Sequence, residues 1–198
     1  MFVIGLTGSI AMGKSTTARL FAEAGVPVHD ADAAVHRLYE GEAVAAIEAA
    51  FPGTTRDGKV DRVALGQRVL GDAPALRRLE SIVHPLVRAA GNRFLKEAEA
   101  AGAKVVVLDI PLLFETGGES RVDAVVVVSA PPEMQRARAL ERGVSPERLD
   151  ALLAQQMPDD EKRRRADFVV DSSQGIEHAR AQVHAILAAV AKMPKKRR

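Results

Sequence analysis

The stretch Gly8-Ser9-Ile10-Ala11-Met12-Gly13-Lys14-Ser15 constrains this chain more than any other, because it fits G-x-x-x-x-G-K-[ST] at every fixed position. Its setting agrees with the motif. An apolar run, Phe2-Val3-Ile4-Gly5-Leu6, precedes it with Thr7 at the junction, and Ala18, Leu20, Phe21 and Ala22 follow in a helical pattern. A strand, a glycine turn and a helix in that order make a cradle for phosphate. The glycines let successive backbone N–H groups face one concavity, and the helix start adds its positive end. Gly8, Ala11, Met12, Gly13, Lys14, Ser15 and Thr16 are the expected nucleotide contacts. Lys14 can reach the β- and γ-phosphates of a nucleoside triphosphate, and the Ser15 hydroxyl can ligate Mg²⁺.

A chain of 198 residues with 47% apolar content suits one domain, with room for inserted subdomains. The lack of cysteine excludes disulfides, thiolate metal sites and a cysteine nucleophile, and it agrees with a cytoplasmic location, the one expected. No apolar run approaches the roughly 20 residues of a membrane-spanning helix, and no charged region precedes the first apolar run, so neither a membrane nor a secretory leader is expected. The pI of about 9.1 invites nucleic acid as a partner. However, five of the 28 basic residues lie in 192–198, which leaves 23 against 26 acidic ones, or −3, for the body. The basic balance belongs to a tail expected to be solvated and disordered, and no specific nucleic-acid partner is expected.

Further along, Val26-Pro27-Val28-His29 reads as a second short strand ending in Asp30-Ala31-Asp32. Either carboxylate can cap the helix that follows, and at least one is well placed to accept a proton from an attacking hydroxyl. From about 41 to 102 the chain is helical and rich in arginine and alanine, which is too long for a simple crossover between neighbouring strands. It reads as an inserted helical lobe for a second, anionic substrate, with Arg62, Arg68, Arg77, Arg78, His84 and Arg88 as candidate contacts. Asp57-Gly58 marks a turn, and His84-Pro85 is expected to interrupt the helix over 73–100. Lys104-Val105-Val106-Val107-Leu108-Asp109 is the clearest buried strand, and Asp109 at its end is placed to hold Mg²⁺ through water.

The strand over 122–128 leads into an arginine-dense helical segment, about 133–166, in which Arg138 and Arg142 are four apart. Closed over the nucleotide, such a segment would act as a lid that excludes water and brings positive charge to the migrating phosphoryl group. The last strand, Phe168-Val169-Val170-Asp171, precedes a final helix ending near 191. Strands alternating with helices predict a three-layer α/β fold of the P-loop NTPase type. Its parallel sheet has about five strands; its core comprises 1–40, 103–132 and 167–191, and the lobe and lid are inserted in it. Two classes of function then compete, a small-molecule kinase and a nucleotide-hydrolysing switch. A guanine-specific switch would need an N-K-x-D segment after a late strand, and no Asn-Lys pair occurs. An acceptor lobe with an arginine-dense lid favours the kinase, and a nucleoside or nucleotide kinase is the alternative within that class.

In its ordered motifs the chain resembles the dephospho-coenzyme A kinase family. They are Gly5-Leu6-Thr7-Gly8 through Gly13-Lys14-Ser15-Thr16, Asp30-Ala31-Asp32 with His36, Asp57-Gly58 with Asp61-Arg62, Leu79-Glu80 with His84-Pro85, Asp109-Ile110-Pro111-Leu112-Leu113-Phe114-Glu115, Gln135 with Arg138 and Arg142, Gln156-Met157-Pro158, and Ala166-Asp167. The resemblance implies ATP-dependent phosphorylation of the ribose 3′-hydroxyl of dephospho-CoA, with Mg²⁺ as cofactor. It implies that Asp32 is the general base, that Thr7 and Arg138 line the transfer site, and that Arg142 supports the lid. Arg62, His84, Pro85, Leu112, Leu113, Phe114 and Glu115 would bind dephospho-CoA. Two departures stand out. Ser9-Ile10-Ala11-Met12 replaces the commoner Gly-Ile-Gly-Ser, with the Met12 side chain expected to point away from phosphate, and Ser172-Ser173 stands where the family often has Asn.

Overall fold

The computed structural model describes residues 1–196. Its elements are β1 (Phe2–Thr7), α1 (Lys14–Glu23), β2 (Val28–Asp30), α2 (Ala31–Tyr39), α3 (Val44–Ala50), β3 (Thr55–Arg56), β4 (Lys59–Val60), α4 (Arg62–Val69), α5 (Ala73–Ala100), β5 (Val105–Asp109), β6 (Ala124–Ser129), α6 (Pro132–Glu141), α7 (Pro146–Ala154), α8 (Asp159–Arg165), β7 (Phe168–Asp171) and α9 (Ile176–Val190). The chain divides into two compact units. One comprises Met1–His29 with the chain from Ala98 onward, and the other is Asp30–Glu97.

The main sheet has five strands in the order β2-β5-β1-β6-β7. β1 pairs in parallel with β5 (Leu6 opposite Asp109) and with β6 (Leu6 opposite Val126), and β6 pairs in parallel with β7. Every residue of β1 and of β6 is buried, as strands covered on both faces require. One core cluster joins Ile4, Leu6, Val126 and Val128 to Leu20 and Phe21 of α1 and to Val183 and Ile186 of α9. Helices on the sheet leave its carboxyl edge open, and that edge is where β1 delivers the phosphate loop. There Gly8 passes so close to β6 that an added Cβ would lie 2.7 Å from the Val128 carbonyl oxygen. No side chain fits that approach.

The second unit has its own core, in which Leu38, Ile47, Phe51, Val60, Leu65, Leu79 and Val83 are buried together. It begins at Asp30, earlier than the boundary near 41 expected from composition, because α2 contributes Leu38 to this core. Asp57 (φ 50°) and Gly58 (φ 74°) form the tight turn of a hairpin that pairs Thr55 with Val60. The break expected at His84-Pro85 is absent: α5 runs unbroken for 28 residues with Pro85 inside it. Proline costs a helix one hydrogen bond and several kcal/mol, roughly 3. Leu79, Ile82, Val83, Leu86 and Val87, spaced three and four apart on the core side, hold the helix together across that gap.

The tail also differs from expectation over its described part. Lys192 and Met193 continue the backbone hydrogen bonding of α9, and Met193 packs on the sheet core. The Lys196 N–H donates to Asp123 Oδ1 at 3.0 Å. The reason lies in Asp123, a carboxylate only 2% exposed whose Oδ2 accepts the Val3 N–H at 2.7 Å. A buried charge of this kind demands donors, and the chain past α9 supplies one. Arg197 and Arg198, on which the rest of that expectation falls, lie outside the described residues. Replacing Asp123 with alanine leaves the buried Val3 N–H unsatisfied, and should lower unfolding free energy by about 1–3 kcal/mol in a denaturant titration.

Candidate active site

The phosphate loop leaves β1 at Thr7, whose side chain is fully buried and whose hydroxyl donates to the Pro111 carbonyl at 2.9 Å. Thr7 thus ties the end of β1 to the loop that follows β5. Ala11 takes a left-handed conformation (φ 62°), and so does Gly13 (φ 93°), which precedes the first turn of α1. For Ala11 that conformation costs on the order of 1–2 kcal/mol. Packing offsets the cost: Ala11 is buried with Ala139 and Leu149, against Ile10, Val144 and Leu153. The Met12 side chain does point away from the phosphate cradle. It is 2% exposed, and its Sδ accepts the Ala130 N–H at 3.2 Å.

Two ionic features define the site floor. Lys14 Nζ lies 2.5 Å from Asp109 Oδ1, and Asp109 is 3% exposed at the carboxyl end of β5. The lysine of the phosphate-loop motif and the strand-end acid therefore meet at the carboxyl edge of the sheet. Ser15, one residue on, is exposed. Arg138 is the second feature. Its Nη1 donates to Ser172 Oγ at 2.9 Å and its Nη2 to the Ser172 carbonyl at 2.7 Å. The Ser172 hydroxyl in turn donates to the Met12 carbonyl at 2.7 Å. Ser172 therefore holds Arg138 against the phosphate loop, a role that its sequence context did not announce. Arg142 is exposed at the end of α6 and is not drawn into that network.

The Ile110–Glu115 segment begins at the strand end beside Asp109. Leu113 and Phe114 are buried, whereas Leu112 is 41% exposed and open to a ligand. The Glu115 side chain, 17% exposed, accepts the Met157 N–H at 2.8 Å and meets Lys162 Nζ at 3.0 Å. Lys162 is fully buried, and that approach lies outside hydrogen-bond angles. Lys162 opens a run of four basic residues, Lys162–Arg165, a composition that resembles a solvated face. Only the packing of α8 singles out the one that turns inward. Burial alone would raise the Glu115 pKa, but the Met157 N–H, its own backbone N–H and the Lys162 ammonium outweigh it and hold it below the ordinary range.

In the second unit, Asp30 is committed as a helix cap: its Oδ1 accepts the Ala33 N–H at 2.9 Å. Asp32, in the first turn of α2, is exposed. Of the two acids, Asp30 is thus the one that caps α2. Arg62 opens α4 behind its cap Asp61, and its Nη1 lies 3.1 Å from the His36 ring Nε2. His84 and Pro85 are exposed on α5. Among the described residues, no group of three or more His, Cys, Asp or Glu side chains could hold a metal ion, and no helix is long and apolar enough to cross a membrane.

The sequence matches the family model for dephospho-CoA kinase over residues 2–178. The chain belongs to the dephospho-CoA kinase family. It is 66% identical to dephospho-CoA kinase of Rhodopseudomonas palustris strain HaA2 over the full length of both chains. Among solved structures, it superposes on TT1252 from Thermus thermophilus with a TM-score of 0.83 at 37% identity, covering 98% of each chain. It also superposes on the dephospho-CoA kinase of Campylobacter jejuni with a TM-score of 0.66 at 25% identity, covering 95% of this chain and 96% of that one. The chain is thus a kinase of the P-loop class, and the switch reading falls away.

The Glu115 contacts make a pH prediction. A carboxyl group whose folded pKa is depressed adds stability that is complete above its unfolded pKa and is lost as pH falls through the folded value. The stability difference between wild type and Glu115→Gln should therefore be constant well above the ordinary glutamate value of about 4.3 and shrink below it. Denaturant titrations across pH 3–7 check this. A difference that grew toward acid would reverse the sign.

Proposed function

We propose that this chain transfers the γ-phosphoryl group of ATP to the ribose 3′-hydroxyl of dephospho-CoA, giving CoA and ADP. The supporting observation is a phosphate loop whose Lys14 meets Asp109, in a chain that matches the family model over residues 2–178. Transfer forms a bond from the 3′-oxygen to the γ-phosphorus and breaks the bond to the β,γ-bridging oxygen, with ADP as leaving group. Catalysis of such a step is mostly positioning and charge stabilisation. Backbone N–H groups of the loop hold the phosphates, and Lys14 leaves Asp109 to pair with the transferring group. Arg138, held by Ser172, adds positive charge, and α6–α8 serve as the lid, which Arg142 supports.

Asp32 takes the proton from the 3′-hydroxyl. It suits that task because its carboxylate is exposed while Asp30 is occupied by its cap. The candidate dephospho-CoA contacts are Arg62, His84 and Pro85 in the second unit and Leu112, Leu113, Phe114 and Glu115 in the first; of the latter, Leu112 is exposed and offers apolar contact to an acceptor that is anionic and partly apolar. The donor set also fits Mg²⁺, which keeps several waters and relies on substrate phosphates plus one or two protein oxygens. Ser15 and Asp109 would supply those oxygens, and the bound ion would neutralise charge on the β- and γ-phosphates.

ADP release with Mg·ATP should require dephospho-CoA, with AMP and adenosine as poor substitutes, and the product should carry phosphate at the 3′ position. Equal turnover with AMP would move the enzyme to the nucleotide kinases. Asp32→Asn should lower kcat by about 10²–10⁴-fold while ATP binding persists. Near-normal turnover in that variant would remove Asp32 from the base role.

A further inference from the structure

Gln135 and Gln156 have no part in the mechanism above, yet both reach the same residue of the phosphate loop. Gln135, 6% exposed on α6, donates from Nε2 to the Ile10 carbonyl at 2.8 Å. Gln156, just past α7, accepts the Ile10 N–H on Oε1 at 3.3 Å. The two amide orientations follow from chemistry, because a carbonyl can only accept and an N–H can only donate. Both backbone groups of Ile10 are thus read by side chains from the two arms of one helical hairpin. The same hairpin supplies Ala139 and Leu149, which bury Ala11 in its left-handed conformation.

We infer that Gln135 and Gln156 are positioning residues that clamp the phosphate loop to the α6–α7 hairpin and so set its shape for the triphosphate. The clamp has a direct consequence for phosphate binding. The Ile10 N–H is turned to Gln156, and the Met12 N–H closes the loop's own turn on the Ser9 carbonyl at 3.2 Å. Two N–H groups inside the motif therefore shape the loop, and the phosphates are left to its other N–H groups. Because the bracketed residue sits next to strained Ala11, releasing either arm lets the loop relax away from the geometry the triphosphate needs. Both arms act through one residue, so their effects must be coupled.

This inference rests on the reading that ATP occupies the loop, and the test separates the two. Mg·ATP affinity is measured by calorimetry for wild type, Gln156→Leu, Gln135→Met and the double variant. In parallel, hydrogen exchange at the Ile10 amide is followed without nucleotide. Each single variant should weaken ATP binding roughly 3- to 10-fold, the scale of one net hydrogen bond. The KM for dephospho-CoA should stay within about twofold. The double variant should lose less than the product of the single effects, and Gln156→Leu should speed Ile10 exchange. If wild type binds ATP and both single variants bind it equally well, the clamp is wrong. Independent, multiplicative effects would likewise overturn coupling through Ile10. If wild type fails to bind ATP, the nucleotide reading fails, while the exchange rate at Ile10 still decides whether Gln156 holds the loop. Variants that merely lose thermal stability, with unchanged ATP affinity in the folded fraction, would also sink the proposal.

Discussion

A phosphate loop must hold backbone N–H groups outward for a ligand while packed against a buried sheet. Backbone polar groups that face the protein instead need partners, since an unpaired buried amide is costly. In this chain those partners are side chains from distant segments. Gln135 and Gln156 take the two backbone groups of Ile10, Ser172 donates to the Met12 carbonyl, and the Met12 sulfur accepts the Ala130 N–H. The loop keeps its shape because four later parts of the chain, after β6, in α6, after α7 and after β7, are folded around it. Gly8 shows the same dependence from the steric side, since its backbone passes too near β6 for any side chain.

The same constraint explains how alanine and methionine can stand at positions 11 and 12 of the loop. A left-handed alanine is tolerable when its methyl group is buried, and α6 and α7 provide that burial. A methionine in the loop would block phosphate if it pointed inward. Its long, flexible thioether instead fills a gap beside β6 and returns a weak hydrogen bond. Ser172 is short enough to sit under Gly13: a Cβ on that glycine would lie 3.1 Å from its hydroxyl. It still anchors Arg138 through both its hydroxyl and its carbonyl.

Charge is handled with similar economy. Lys14 and Asp109 neutralise each other at the carboxyl edge of the sheet, and Lys162 and Glu115 do so under α8. Both pairs bring a buried or nearly buried charge to a partner from a separate part of the chain. Such pairs add little net stability over apolar packing, but removing one partner leaves the other charge buried and uncompensated, which is costly. Exposed pairs such as Lys59–Glu40 and Arg136–Asp150 carry no such constraint.

The amino-acid sequence alone determined the phosphate loop, the parallel sheet and the class of reaction. Those depend on local pattern: glycine spacing, continuous β-branched runs and a lysine-serine pair at a helix start. The family motifs carried the reading further, to an acceptor and a candidate base. Tertiary structure alone decided which of two neighbouring acids, Asp30 or Asp32, was consumed as a cap, and which residue of the Lys162–Arg165 run turned inward. It kept α5 continuous through Pro85, because a core stripe outweighed one lost hydrogen bond. It also gave Gln135, Gln156 and Ser172 their partners. Those choices turn on contacts between residues more than a hundred positions apart for the glutamines, and no local period encodes such a meeting.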